Sequence, residues 1–263
     1  MKTTHNPLSQ PAGKPTPSTP LFKLPTYPKS EASRREILKK LFTAGSLAFG
    51  SAVMPSSLFA SGSSAVQKEK IYKIDIVNGP IPTPDQFVGP FYPVNKPTDG
   101  GEDMTQLPGR DKAQGDVIYV TGKIVNIHGE PCPNVKMEIW QSNAAGRYTH
   151  KNDHNPAALD PNFDGYANIV TDAEGRYGFK TVKPGAYPVT PDFWRPPHIH
   201  FELTGRVDRL VTQMYFPDEP LNEKDPILQV AWANHSLIAK NAGAVASKAD
   251  VKTMIWDVTL IEG

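Results

Sequence analysis

The sequence predicts an all-β fold for residues 67–263: a β-sandwich of mostly antiparallel strands with long functional loops, preceded by a disordered signal region over residues 1–66. Three observations carry that reading. From about Lys70, short runs rich in Val, Ile, Tyr and Phe are separated by Gly, Pro, Asn and Asp, the rhythm of many short strands and turns. In Thr253–Leu260, Met254, Trp256, Val258 and Leu260 face one way while Thr253, Asp257 and Thr259 face the other, the period of a half-buried strand. The one helix the pattern allows is weak, around Ile227–Ala239.

Residues 1–32 hold Pro7, Pro11, Pro15, Pro17, Pro20, Pro25 and Pro28 with few apolar side chains between them. Such a stretch lacks backbone donors and buries too little apolar area to offset the entropy of ordering. Ser33-Arg34-Arg35-Glu36-Ile37-Leu38-Lys39-Lys40 then leads into an uncharged run from Leu41 to Gln67, diluted by Gly45, Ser46, Gly50 and Ser51. A basic flank, an apolar run and small residues near Ala60 or Ala65 are the parts of an export signal. The paired arginines resemble the twin-arginine type. On that reading the twin-arginine translocase is a partner and the periplasm the destination. The competing reading is an uncleaved membrane anchor, because Leu41–Ala60 is just long enough to span.

The 28 basic and 27 acidic side chains nearly cancel, yet the first 60 residues carry +6 and the remainder −5. An acidic body gives no electrostatic reason to bind nucleic acid. Lone Cys132 excludes an internal disulfide framework and any metal site built on several thiolates.

Along the body, strands are expected at Ile71–Val77, Val117–Val125, Val135–Gln141, Ala167–Val170, Arg176–Lys180, His198–Thr204, Leu210–Tyr215 and Thr253–Leu260. Asp172-Ala173-Glu174-Gly175 reads as a tight hairpin between two of them, and His128-Gly129-Glu130-Pro131 as a turn out of another. Asn95–Gln114 and Lys151–Gly165 read as loops, and loops of that length are more often functional than idle.

The densest chemistry lies between Gly185 and Phe201. Residues two apart on a strand share a face, so His198 and His200 present both imidazoles to one side. Two neutral imidazoles suit a transition metal. No His-Glu-x-x-His helix accompanies them, which disfavours a zinc protease. Glu202, His150 and His154 are candidates to complete a facial triad for ferrous iron, although three same-face residues of one strand spread too far for compact coordination. The other nearby oxygen donors are phenols, Tyr187 and Tyr148. A phenol of reference pKa near 10 ionises only if a strong Lewis acid compensates, so two phenolates with two imidazoles would favour ferric iron. For either tyrosine alone, a core ring with its hydroxyl at the surface is the simpler reading.

These segments belong to a larger pattern. Glu138-Ile139-Trp140-Gln141-Ser142-Asn143-Ala144-Ala145-Gly146-Arg147-Tyr148, Leu159-Asp160-Pro161-Asn162-Phe163, Lys183-Pro184-Gly185-Ala186-Tyr187-Pro188, Trp194-Arg195-Pro196-Pro197-His198-Ile199-His200-Phe201 and Gln213-Met214-Tyr215-Phe216 together resemble the intradiol ring-cleavage dioxygenases, in particular their iron-bearing protocatechuate-type (beta) subunits. The resemblance runs from about Thr83 through Val88-Gly89-Pro90-Phe91-Tyr92 to Leu228. It implies Tyr148, Tyr187, His198 and His200 as ligands of a non-haem Fe(III), with hydroxide as the fifth. It implies a catechol and O2 as substrates, with cleavage between the two hydroxylated carbons to a muconate-type dicarboxylate. Tyr187 would be the ligand that leaves when the catechol binds and takes up one of its protons. Arg195 would stabilise negative charge developing on the ring; its alternative is a structural ion pair under Trp194. Gln213 would orient substrate and oxygen. Gly146 and Pro188 would let the backbone turn so that each phenol reaches the metal.

The pattern departs after Tyr187-Pro188, where the tyrosine-to-histidine segment is also shorter, and in carrying an export signal. Protocatechuate enzymes continue after this Tyr-Pro with an aromatic and basic residues, where this chain has Val189-Thr190-Pro191-Asp192. The resemblance therefore leaves recognition of a ring carboxylate open and the metal chemistry intact. Those enzymes pair two homologous subunits, so a homo-oligomer or a pairing with a homologous subunit is expected. Two other classes of function compete: a non-catalytic β-sandwich binding module, and a zinc or copper site on the same histidines with hydrolytic or redox activity.

Overall fold

A computed structural model of the chain describes residues 79–94, 96, 101–244 and 251–263. The expected leader at 1–66 and the expected strand Ile71–Val77 lie outside the described residues. Among the described residues, no helix is long and apolar enough to cross a membrane.

Among the described residues, eleven strands carry the fold: β1 (Val117–Asn126), β2 (Lys136–Trp140), β3 (Tyr166–Val170), β4 (Arg176–Val182), β5 (Tyr187–Thr190), β6 (Phe193–Arg195), β7 (His198–Thr204), β8 (Arg209–Tyr215), β9 (Lys240–Ala244), β10 (Lys252–Ile255) and β11 (Val258–Leu260). One sheet is built on β1, which pairs antiparallel with β4 along one edge and parallel with β10 and then β11 along the other; β9 extends β10. The second sheet is antiparallel throughout, in the order β3-β2-β7-β8. A two-stranded ribbon, β5-β6, stands apart from both.

The alternation expected of half-buried strands sets the layers. Ile118, Val120, Ile124, Phe179, Met254 and Val258 of the first sheet share one buried cluster with Met137, Ile139, Ile169, Ile199, Phe201 and Leu203 of the second. Phe201 bridges them, its ring 6.0 Å from Phe179 and 4.8 Å from Trp256. Each such side chain contributes about 1.5–3 kcal/mol on full burial. The stability of the sandwich therefore comes from between the sheets. The opposite face of the second sheet, bearing Glu138, Trp140, His198, His200 and Gln213, is left for polar chemistry.

Several expectations need correction. Ile227–Ala239 is not a helix. It holds one α-turn, Pro226–Gln229, and a 3-10 turn, Asn234–Leu237, because Pro226 starts the first and the apolar spacing does not persist. The run 253–260 is two strands, not one: the Asp257 carboxylate accepts the Lys123 N–H (2.9 Å) and Trp256 N–H donates to Thr121 O, so the ladder breaks at Trp256-Asp257. Its second face is only partly exposed: Ile255 and Asp257 are exposed, whereas Thr253 and Thr259 are buried. Finally, the turn at Asp172–Gly175 joins β3 to β4, which lie in different sheets, so it is a corner between layers and not a hairpin. Asp172 still organises it, accepting the Glu174 and Arg176 N–H groups on one carboxylate oxygen.

Candidate active site

β7 turns Ile199, Phe201 and Leu203 into the core and thereby turns His198 and His200 out onto the loop-covered face, both at most 2% exposed. His198 Nδ1 lies 2.7 Å from Pro196 O and donates to it, which directs the Nε2 lone pair into the site. His200 is oriented by contact instead. Trp140, directly opposite it on β2, stacks on the imidazole at 4.9 Å and 10°. Gly89, at φ +74°, brings the 88–92 segment so close that a Cβ there would lie 3.1 Å from His200 Cε1. The two Nε2 atoms are 3.2 Å apart.

Tyr148 follows β2 through a turn organised by Asn143, whose side-chain oxygen accepts the Ala145 and Arg147 N–H groups while its amide donates to Ala158 O. Asp153 then accepts the Tyr148 N–H at 2.7 Å. The phenol oxygen reaches 3.5 Å from His198 Nε2. Tyr187 opens β5, directly opposite Arg195 on β6; its ring stands edge-on to Tyr148 at 5.5 Å and 5.7 Å from His198. Gly146 and Gly185 allow the two tyrosine-bearing segments to touch. A Cβ on Gly146 (φ +81°) would sit 2.3 Å from Ala186 O, and one on Gly185 2.5 Å from Ala144 O.

The structure thus brings together Tyr148, Tyr187, His198 and His200. It does not bring in Glu202, which pairs with Arg209 at 2.7 Å, nor His154, which is exposed. His150 lies above Phe91 at 5.8 Å. No group of three His, Cys, Asp or Glu side chains suited to a metal occurs among the described residues, so the facial-triad alternative is not formed.

Burial dominates the electrostatics. It holds the Tyr148 phenol well above its ordinary value and raises Tyr187, which the charge of Arg195 pulls back in part. It holds both imidazoles well below their ordinary value, with Arg195 adding to the effect. Neutral imidazoles are ready donors, but two such phenols ionise only beside a concentrated positive charge. The donor set itself supports a metal. The two imidazole Nε2 atoms lie 3.2 Å apart, the Tyr148 oxygen is 3.5 Å from one of them, and the Tyr187 ring packs edge-on to Tyr148, so buried oxygen and nitrogen donors converge. Hard oxygen with imidazole nitrogen suits iron.

Arg195, 4% exposed, donates from Nε to Asp225 Oδ2 (3.0 Å) and from Nη2 to Gln213 Oε1 (2.7 Å) and Tyr215 Oη (2.9 Å). The ion pair considered for it does exist, but with Asp225 and not under Trp194, which is 46% exposed. Gln213 donates one amide N–H to Phe87 O (2.7 Å) and accepts the Arg195 Nη2–H on its carbonyl, so it braces the arginine. Asp225 was not singled out in the sequence, and Trp140 and Tyr215 stood without a role in the segments that carry the resemblance. Trp140 alternates in phase with Glu138 on a predicted strand, which was the available signal.

A cavity of about 480 Å3 opens beside Tyr148, lined by Phe91, Trp140, Tyr148, Thr149, His150 and Tyr166 among others. That is room for a single substituted ring.

A model of the family described as Dioxygenase matches residues 87–262. The chain is 46% identical over 170 residues to the protocatechuate 3,4-dioxygenase beta chain of Burkholderia cepacia, covering 60% of this chain and 72% of that one. It is 29% identical over 164 residues to a catechol 1,2-dioxygenase of Candida albicans, covering 56% of this chain and 52% of that one, so it spans about half the length of that relative. Among solved structures, 3-chlorocatechol 1,2-dioxygenase from Rhodococcus opacus shares the fold, with a TM-score of 0.54 at 24% identity, covering 69% of this chain and 73% of that one. The chain belongs to the dioxygenase family. Its place there is among the enzymes that open an aromatic ring. It is an intradiol ring-cleavage dioxygenase.

Proposed function

We propose that this enzyme cleaves a catechol, protocatechuate or a related 1,2-dihydroxybenzene, with O2 between its two hydroxylated carbons, giving a cis,cis-muconate-type dicarboxylate in the catabolism of aromatic compounds. Both atoms of O2 enter the product, so no external reductant is needed. The observation that carries the reading is the convergence of Tyr148, Tyr187, His198 and His200 beside a cavity sized for one ring. These four residues would hold Fe(III), which when bound supplies a strong Lewis acid that activates the catechol toward O2.

The chain's own groups do the rest. Phe91, Trp140 and Tyr166 clasp the ring and exclude water. Tyr187 Oη takes one catechol proton, a role its proximity to Arg195 supports by stabilising the phenolate beforehand. Arg195 keeps its proton and offers a fixed positive charge to the carbanion-like ring. The imidazoles stay neutral throughout. The relative's designation as a beta chain supports pairing with a homologous subunit or with further copies of this chain. The arginine pair at 34–35 supports export by a twin-arginine route.

Oxygen uptake over a panel of protocatechuate, catechol, hydroxyquinol and substituted catechols tests the proposal. Uptake with a muconate-type product spectrum is expected, and extradiol products would overturn it. The iron-loaded protein should be wine-red from phenolate-to-ferric charge transfer; a colourless iron-loaded protein would remove the tyrosine assignment. Trp140→Leu is expected to weaken iron retention about 10–100-fold, the cost of losing an outer-shell support, whereas Trp140→Phe, which restores a flat ring on His200, keeps most of it. Competition with a chelator measures both, and equal retention in the two variants would show that stacking does not orient His200.

A further inference from the structure

We propose that Asp225 is a positioning residue for Arg195: its buried carboxylate fixes the guanidinium in one orientation and offsets its charge beside the tyrosine–histidine cluster. This rests on the role given to Arg195 above and extends it to a residue outside the cluster.

Asp225 lies between the 3-10 turn Asn222–Lys224 and the α-turn Pro226–Gln229. Its two carboxylate oxygens face different partners. Oδ1 accepts the Ile227 N–H at 2.9 Å and caps the α-turn; Oδ2 accepts Arg195 Nε–H at 3.0 Å. Pro226, with its fixed φ, and the Gln229 N–H bond to Asp225 O hold the turn rigid behind the carboxylate. A cap alone would be served equally by Ser or Asn. The second oxygen, wholly buried and aimed at a guanidinium, is what requires an acid.

The arginine is held on three sides. Asp225 takes Nε, and Gln213 and Tyr215 take Nη2. The Gln213 amide is itself turned the right way by its bond to Phe87 O. Gln213 and Tyr215 are neutral acceptors, so Asp225 alone among these supplies a countercharge. That charge also reaches Tyr187, opposing the field of Arg195 there, whereas Arg195 acts on all four cluster residues. Asp225 therefore sets both where the guanidinium points and how much positive field the cluster feels.

The test uses the full-length, iron-loaded enzyme. Asp225→Asn and Asp225→Ser each keep an oxygen for the Ile227 N–H and remove both the charge and the acceptor that faces Arg195 Nε, so one compensates if the other folds poorly. Either is expected to lower kcat about 10–100-fold with KM little changed, and to raise the ferric/ferrous potential, because an uncompensated positive charge favours the less charged metal. Arg195→Lys should lose at least as much, and adding Asp225→Asn to it should cost nothing further. An unmoved potential, or losses that simply add, would reduce Asp225 to a helix cap and overturn the proposal. Wild-type kcat in Arg195→Lys would instead sink the role of Arg195 itself.

Discussion

Tyr187→Phe is expected to purify with little iron and to lose turnover by more than about 100-fold, the upper end of what an outer-shell partner costs, since here a donor itself is removed. The charge balance explains the size. Two phenolates and a hydroxide would neutralise a 3+ ion in a site where Trp140, Tyr148, Tyr187, His198 and His200 are all buried. With one phenolate gone, a net positive charge stands beside the guanidinium of Arg195 in a low-dielectric pocket. His200→Ala should behave alike, as it deletes a nitrogen whose ring is held by Trp140 and the Gly89 segment. Iron content, visible absorption and oxygen uptake are the measurements, with circular dichroism to confirm folding. A folded Tyr187→Phe protein that kept its colour and its oxygen uptake would sink the ligand assignment.

The second large effect is predicted for Gly146→Ala, one methyl group away from any catalytic atom. At φ +81° an L-residue is strained by about 1–2 kcal/mol. Its Cβ would also lie 2.3 Å from Ala186 O and 3.3 Å from Tyr187 Cβ, and a backbone carbonyl cannot swing aside as a side chain can. The segments bearing Tyr148 and Tyr187 must then separate. A loss of at least about 2 kcal/mol is expected, lowering the melting midpoint by about 4–8 °C for a domain of this size, together with a loss of iron. Gly109→Ala separates the two causes. Its φ is +72° but a Cβ there meets nothing within 4 Å, so it should show the strain alone and keep its iron. If Gly146→Ala retained iron as well as Gly109→Ala does, the closeness of the two tyrosine segments would not be what builds the site.

What was legible in the sequence was what local alternation governs. β7 runs over the expected residues, and the outward parity of His198 and His200 followed from period two alone. The turn before Tyr148 was expected at Gly146, which takes φ +81°; that the Asn143 side chain organises it was not. The β5-β6 ribbon was not, since Pro188 and Pro191 and a polar tip read as loop; it forms because it is an isolated ribbon that needs no flanking ladder. Nor was the job of Gln213. A glutamine on a strand gives no hint that Phe87, 126 residues earlier, will claim its amide. Asp225 before Pro226 reads as an ordinary cap, and half of its function is that. The long-range half, a bond to Arg195 thirty residues back, has no local signal at all.

The parallel pairing of β1 with β10 and β11 bears on the order in which the molecule can be made. Ile118 meets Lys252 and Ile124 meets Val258, so the central strand of one sheet waits for partners that emerge from the ribosome more than a hundred residues later. At about 5–20 residues per second, that is many seconds during which one edge of β1 stays open. The four-stranded sheet, β7 and its two histidines included, is by contrast fully synthesised by Tyr215. The surface that holds the cluster can therefore assemble during translation, while closure of the sandwich must follow it.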